Sequence, residues 1–220
     1  MKLRSIYLIL DDESYPGSFR SDFDFQTRCL CNFIQRRVRA ARIPTQGFNA
    51  IVVRGVETPR DSCPIVSVKS TVPEVYFDRQ RYESLKGADL HEFFIGMLEE
   101  GLKKCAMHHE IPTEFLFSSI REFREGGYKN EWVHHKKLFR PHGIRTELRC
   151  CLTMSEFRLT FAATKKGGVI YEKCIFETKP DEICFAHKFK EVKLLDDNFV
   201  VVAAFADPLF SLPLADLLDT

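Results

Sequence analysis

From Ile144 to Met154 the chain alternates with a period of two. Ile144, Thr146, Leu148, Cys150, Leu152 and Met154 fall on one side, and Arg145, Glu147, Arg149, Cys151 and Thr153 on the other. Successive side chains of a strand point to opposite faces, so the pattern predicts a strand with one face inward and one in water. Phe157, Leu159, Phe161 and Ala163 repeat it against Arg158 and Thr160. Three short turn sequences follow: Lys165-Lys166-Gly167-Gly168, Lys179-Pro180-Asp181 and Asp196-Asp197-Asn198. They set off strands over Val169 to Thr178, Ile183 to Leu195 and Phe199 to Phe205. Strands joined by tight turns form hairpins, so this part is expected to be an antiparallel meander of about five strands. The last strand is apolar throughout and is expected to be covered on both faces, by helices.

Those helices are read upstream. Between Asp89 and His108, Leu90, Phe93, Phe94, Met97, Leu98, Leu102 and Cys105 recur at three- and four-residue steps. On the opposite side Glu99 precedes Lys103 and Glu100 precedes Lys104, the favourable order for paired charges. A further helix over Thr113 to Glu125 joins Leu116, Ile120 and Phe123 and stops at Gly126. Nearer the N-terminus, Ile6 to Leu10 reads as a strand and Asp11 to Arg20 as a polar loop with a Pro16-Gly17 turn. Ser21-Asp22 then caps a helix with Phe25, Cys29, Leu30, Phe33, Ile34 and Val38 on one face. Phe48 to Val56, Cys63 to Val68 and Thr71 to Asp78 read as short strands broken by Pro59, Pro64 and Pro73, hence edges or irregular pairing. The expected fold class is α+β, a mainly antiparallel sheet packed against two to three helices. We expect a single domain over 1–220, its character changing near Gly126-Gly127. Residues 1–126 are a mixed strand/helix portion and 127–220 the antiparallel meander portion.

A chain of 220 residues that is 45% apolar can bury a sizeable core without a disulfide or a metal. Thirty-two basic residues against thirty-one acidic ones leave +1, which argues against binding nucleic acid through bulk charge. No apolar run approaches the roughly 18 residues of a transmembrane helix. Ile6 to Leu10 is shorter than the about 7–15 apolar residues of a secretory signal. Of the eight cysteines, Cys29 and Cys31 are two apart and Cys150 and Cys151 adjacent, spacings ill suited to mutual disulfides. With most thiols in apolar runs, the expected compartment is the reducing cytoplasm.

Chemical motifs are sparse. The cysteines lack C-x2-C spacing, and His108-His109 and His134-His135 are adjacent rather than i, i+2 or i, i+4, so no metal ligand set is expected. No G-x-S-x-G elbow, phosphate-binding loop or dinucleotide fingerprint occurs, so neither a catalytic residue nor a cofactor is assigned. His91 reads as a solvated helix residue. Arg28, Arg36, Arg37, Arg39 and Arg42 gather mostly at the end of the first helix, where bases suit the helix dipole. A second cluster, His134, His135, Lys136, Lys137, Arg140, His142, Arg145 and Arg149, also holds Trp132 and Phe139. Base stacking with phosphate contact is one use for it, and a solvated strand face the other. The loop Asp11-Asp12-Glu13, followed by Tyr15 and Phe19, combines carboxylates that steer a basic partner with aromatic anchors. The tail from Ala206 to Leu214 is apolar and is expected to dock on the parent domain.

These readings favour a non-catalytic cytoplasmic binding protein that recognises and inhibits one cognate protein partner. A bacterial toxin-neutralising immunity protein, its toxin encoded by an adjacent gene, has this general appearance. Its partner-binding candidates are Asp11, Asp12, Glu13, Tyr15, Phe19, Trp132, His134, Lys136, Phe139 and Arg140. The expected partner is neither a membrane nor, in the main reading, a nucleic acid. Two alternatives stand beside it: an enzyme assembled from dispersed residues such as His134, Glu131 and Cys150, and a nucleic-acid module built on the basic 134–149 region.

Overall fold

Two apolar runs that alternate in step, Ile6–Leu10 and Ile51–Val56, organise the first of two compact units, Met1–Asn130 and Glu131–Thr220. The computed structural model describes residues 1–66, 68–203 and 207–218. Strand β1 (Ser5–Leu10) and strand β2 (Ala50–Val56) pair in parallel, from Ser5↔Ala50 to Leu10↔Gly55. Parallel neighbours need a long crossover, and helix α1 (Gly17–Ala41) supplies it. A short antiparallel pair follows, β3 (Ile65–Val66) and β4 (Ser70–Thr71), then β5 (Glu74–Tyr76). Both β4 and β5 lie parallel to β2, separated by Pro73, whose carbonyl accepts from the Arg54 N–H at 2.9 Å. Within the expected strand from Cys63 to Val68, Ser67 lies outside the described residues. β1 forms the sheet edge, and α1 covers its carbonyls: Thr27 Oγ1 donates to Leu8 O and Gln35 Nε2 to Ile6 O.

Three more helices complete this unit. Helix α2 (Arg79–Ser84) is capped by Asp78, whose carboxylate accepts from the Arg81 N–H at 3.0 Å. Helix α3 (Gly87–His108) packs on β2, β5 and β1, and α4 (Thr113–Glu125) packs on α1 and α3. The charged side of α3 is redirected from the expected i, i+4 pairs. Arg124 lies 3.7 Å from Glu99, Lys103 sits over the Phe117 ring, and Lys104 donates to the carbonyls of Arg60 and Glu74. Helix α1 begins before the expected Ser21-Asp22 cap, with Arg20 N donating to Pro16 O. The reason is packing: Phe19 lies edge-on to Tyr82 and Phe77, which draws the first turn inward.

The second unit is built mainly of strands. Strands β6 (Asn130–Phe139), β7 (Ile144–Leu152), β8 (Phe157–Lys165) and β9 (Gly168–Thr178) form a four-stranded sheet in sequence order. The even positions Ile144, Thr146, Leu148, Cys150 and Leu152 are all buried, as alternation predicts. Lys166 and Gly167 both take left-handed backbone angles in the two-residue turn between β8 and β9, which favours glycine at the second position.

The ladder ends there, with four strands rather than the expected five. Ile183 to Leu195 begins instead as helix α5 (Glu182–Phe185) and reaches strand β10 only at Glu191–Leu195. Phe185 stacks on Phe157 at 3.7 Å and Phe189 on the same ring at 5.7 Å, so the segment leaves the sheet to fill the core. Strand β10 joins β11 (Asn198–Val202) and β12 (Phe210–Pro213) in a separate antiparallel three-stranded sheet, closed by helix α6 (Ala215–Leu218). The inner faces of both sheets share one core, in which Phe139, Phe157, Phe161 and Leu148 meet Phe199, Val201, Val192 and Leu212. The apolar strand β11 is therefore buried within its own unit's core. Residues 204–206 of the expected last strand and tail lie outside the described residues. Beyond them the tail docks, with Leu212, Leu214 and Leu217 buried. The whole is α+β, and among the described residues no helix is long and apolar enough to cross a membrane.

One polar atom in this core has no counterpart. Thr146 is fully buried and its Oγ1 meets no hydrogen-bond partner among the described residues. A buried unpaired hydroxyl costs about 1–3 kcal/mol, and valine keeps the branched shape that strands favour. Thr146→Val is expected to stabilise the second unit by about 1 kcal/mol. The chain's one tryptophan, Trp132, lies in this unit, so its fluorescence in a urea titration reads the change.

Candidate functional site

The carboxyl ends of parallel strands are where α/β sheets usually receive ligands, and the acidic segment emerges there from β1. Asp11 folds back on itself: its Oδ2 accepts from Ser14 N at 3.1 Å and from Ser14 Oγ at 2.7 Å. Its Oδ1 lies 3.6 Å from Arg54 Nη1, and Arg54 in turn faces Glu74 at 3.8 Å. Asp12 and Glu13 are exposed. Tyr15 is 5% exposed and packs edge-on to Phe77, and Phe19, half-buried in the first turn of α1, lies under the Arg79 guanidinium. Both rings are thus spent inside the fold, and Asp12 and Glu13 remain free to meet a partner.

Glu74 anchors the neighbouring charges. It accepts from the backbone N–H of Arg60 at 3.0 Å and from its guanidinium, although its own side chain is only 5% exposed. Hydrogen bonds from Arg60, opposed by burial and assisted by Arg54, hold its carboxyl down at about 2. A carboxylate that acidic is a poor general base at neutral pH. The network holds the start of β5 to the second half of β2 and the loop that follows it.

The second group of candidates lies along β6. Trp132 is half-buried beside Phe157. His134 packs edge-on to Phe189 at 4.8 Å, and its Nε2 lies 3.2 Å from Lys190 O. His135 Nδ1 accepts from the Val192 N–H at 3.4 Å, which assigns its proton to Nε2. Desolvation lowers the pKa of both rings, so they are neutral at pH 7 and the positive charge of β6 belongs to its lysines. Phe139 is buried against Phe199 at 4.9 Å and offers no ring for stacking. Arg140 is exposed in a 3-10 turn, Arg140–His142.

What β6 does contribute is one end of a charged row across the outward face of its sheet. Lys136 Nζ lies 2.7 Å from Glu147, Arg149 bridges Glu147 and Glu172 at 3.0 Å each, and Arg158 pairs with Glu156 at 2.8 Å. The register explains the reach of Arg149: Glu147 sits opposite Ala162, and Ala162 opposite Glu172. The small Ala162 leaves room for the guanidinium to pass over β8. Lys136, then Arg149, hydrogen-bond Glu147 and keep its carboxyl below the ordinary glutamate range despite burial. Lys136, Glu147, Arg149, Arg158 and Glu172 stand on strands, and the signal for the row was the odd-numbered set Glu147 and Arg149.

Of the dispersed set, Cys150 points into the core, Glu131 lies 4.0 Å from Cys151 Sγ, and His134 turns to Lys190. His91 is not a solvated helix residue: it stacks on Tyr128 at 4.8 Å, and burial lowers its pKa. Sequence reading missed one thiol cluster altogether. Cys63, before β3, has Thr71 Oγ1 2.9 Å from its Sγ, and its thiol is held below the usual range, first by the side chain of Cys105 in the last turn of α3. Positions 63, 71 and 105 share no local spacing, so only the fold brings them together. Among the described residues no three His, Cys, Asp or Glu side chains converge as a metal ligand set. In comparisons with known proteins, no family model, curated protein or solved structure matches this chain.

Proposed function

We propose that this chain is a non-catalytic cytoplasmic binding protein that recognises and inhibits a single protein partner, in the manner of a bacterial toxin-neutralising immunity protein. The observation that carries the reading is the row Lys136–Glu147–Arg149–Glu172 on the outward face of β6–β9. Each charge is held by its neighbour on a rigid strand, so little side-chain freedom is lost when a partner docks. Both signs alternate, which suits a protein surface of complementary pattern and opposes a phosphate backbone, where Glu147 and Glu172 would repel. In the same unit the exposed Arg140 and the half-buried Trp132 add charge and contact area, and in the first unit the exposed Asp12 and Glu13 are separate candidates for steering a basic partner. Cytoplasmic action belongs to the same reading, supported by Cys29, Cys31, Cys63, Cys105 and Cys150, which are buried as small hydrophobes.

The test is co-expression with the products of the genes on either side. A stoichiometric complex, together with survival of cells that express the neighbour, is the expected result. Charge reversal at the rim of the row, Arg158→Glu with Glu172→Lys, is expected to weaken the complex at least tenfold while circular dichroism and melting stay unchanged. If no neighbouring product binds and no protection occurs, the proposal fails. A steep loss of nucleic-acid affinity with salt would instead favour the basic-module alternative.

A further inference from the structure

We infer that the first unit carries a binding site for a small anion with two phosphoryl groups, formed where Lys2, Arg4, Arg39 and Arg42 surround a two-lobed cavity. Ahead of β1, Leu3 is buried while its neighbours Lys2 and Arg4 are exposed. One lobe, about 530 Å³, is lined by Lys2, Leu3, Arg4, Ser5, Arg39 and Arg42. The other, about 470 Å³, is lined by Met1, Lys2, Arg4 and Asn49. Lys2 and Arg4 therefore serve both lobes.

The charges stand on a fixed frame. Leu3 N–H donates to Ile43 O at 2.9 Å and Arg4 N–H to Asn49 O at 2.8 Å, and Lys2 bridges to Pro44. Arg39 is held by its own side chain, whose Nε donates to Arg4 O at 2.9 Å and Nη2 to Gln35 Oε1 at 3.2 Å. Arg42 ends α1 in the left-handed region, at φ 53°, where glycine is the usual residue. The chain carries a long cationic side chain there against the preference of its backbone, a cost that clusters at functional sites.

These charges are also unanswered. Arg37, Arg54, Arg60, Arg79 and Arg124 of the same unit each pair with a carboxylate. Among the described residues no carboxylate pairs with Lys2, Arg4, Arg39 or Arg42, and no acidic or aromatic side chain lines either lobe. The C-terminus of α1 opposes an anion, but only by about half a charge, and the Arg42 N–H answers part of it at Val38 O. Four full positive charges outweigh that. With no ring for a base to stack on, recognition rests on charge and on guanidinium forks that match phosphoryl oxygens. Arg39 and Arg42 add to one lobe and the Asn49 amide to the other, so two phosphoryl groups fit better than one.

The experiment titrates inorganic diphosphate into the intact chain by calorimetry, beside inorganic phosphate and a nucleoside diphosphate. One site is expected, about tenfold or more tighter for diphosphate than for phosphate and weakening as salt is added. The nucleoside diphosphate is expected to bind within about threefold of diphosphate, because the cavity has nothing to read a base. Arg42→Gly suits the left-handed backbone, so it is expected to keep the fold while weakening diphosphate about fivefold or more, as Lys2→Gln does. Lys166→Gln, in the second unit, is expected to leave the affinity unchanged. Any of four results would overturn the inference: no heat with millimolar diphosphate, equal affinity for phosphate and diphosphate, a far tighter nucleoside diphosphate, or the same affinity in Arg42→Gly and Lys2→Gln as in the parent chain.

Discussion

Gly101→Ala is expected to destabilise the first unit by about 2–3 kcal/mol, while Gly96→Ala in the same helix stabilises it by about 0.5–1 kcal/mol. Helix propensity alone predicts a gain at both positions, since alanine outranks glycine in a helix interior. The surroundings decide otherwise. A Cβ on Gly101 would stand 2.5 Å from both Cγ1 and Cγ2 of Val53, which is fully buried on β2. Valine is stiff about χ1 and has no long arm to swing aside. The contact is reciprocal, because a Cβ on Gly55 of β2 would stand 2.9 Å from Met97 Cε on α3. Two glycines, one on each element, thus set how closely helix and strand approach. Gly96 faces outward with nothing within 4 Å, so a methyl there costs no packing.

A double-mutant cycle isolates the clash. Val53→Ala alone leaves a cavity and is destabilising, but Gly101→Ala added to it is expected to cost at least 1 kcal/mol less than it does in the parent chain. The long helices α1, α3 and α4 all lie in the first unit, so ellipticity at 222 nm in a urea titration reports on it. Equal midpoints for Gly96→Ala and Gly101→Ala would refute the packing of α3 on β2 described above.

How far the sequence discloses this molecule depends on whether the signal is local. Helices α3 and α4 are legible because Leu90, Phe94, Leu98 and Leu102, or Leu116, Ile120 and Phe123, repeat at helical steps and all end up buried. Strands β7 and β8 are legible for the same reason at period two. Phe185 and Phe189 stand four apart, a helical spacing, yet the surrounding Ile183 to Leu195 looks like a strand and the expectation followed the composition. Tyr15 and Phe19 sit among Asp, Glu, Ser and Arg, so their neighbours argue for a surface although Tyr15 is buried and Phe19 packs half-buried on Tyr82. The parallel pairing of β1 with β2 is a contact across the whole of α1, which no window of sequence contains. Glu74 is the extreme case: a glutamate in a short apolar segment, buried because two arginines from the preceding strand and loop reach it.

Glu74 is also where acid is expected to act most strongly on the first unit. Its carboxyl titrates at about 2 in the folded chain, against the ordinary 4.5 of an unfolded glutamate. In that interval the unfolded state binds the proton and the folded state does not, so each step down in pH favours unfolding. The difference is worth about 3 kcal/mol at neutral pH, fully present above pH 4.5 and gone near pH 2. Glu74→Gln removes the charge but keeps the shape, and its amide oxygen still accepts one bond from Arg60. The variant is therefore expected to be about 2–3 kcal/mol less stable at pH 7, with a flatter acid limb. Other carboxylates are held down as well: Glu92, first by its hydrogen bonds from Arg124, lies in the same unit. Only the difference between parent and variant, followed by ellipticity at 222 nm from pH 7 to pH 2, belongs to Glu74. That difference is expected to shrink towards zero as the pH approaches 2, because both chains then carry a neutral group at this position. A gap that stays constant across the range would mean that Glu74 stabilises the fold through its shape and not through its charge.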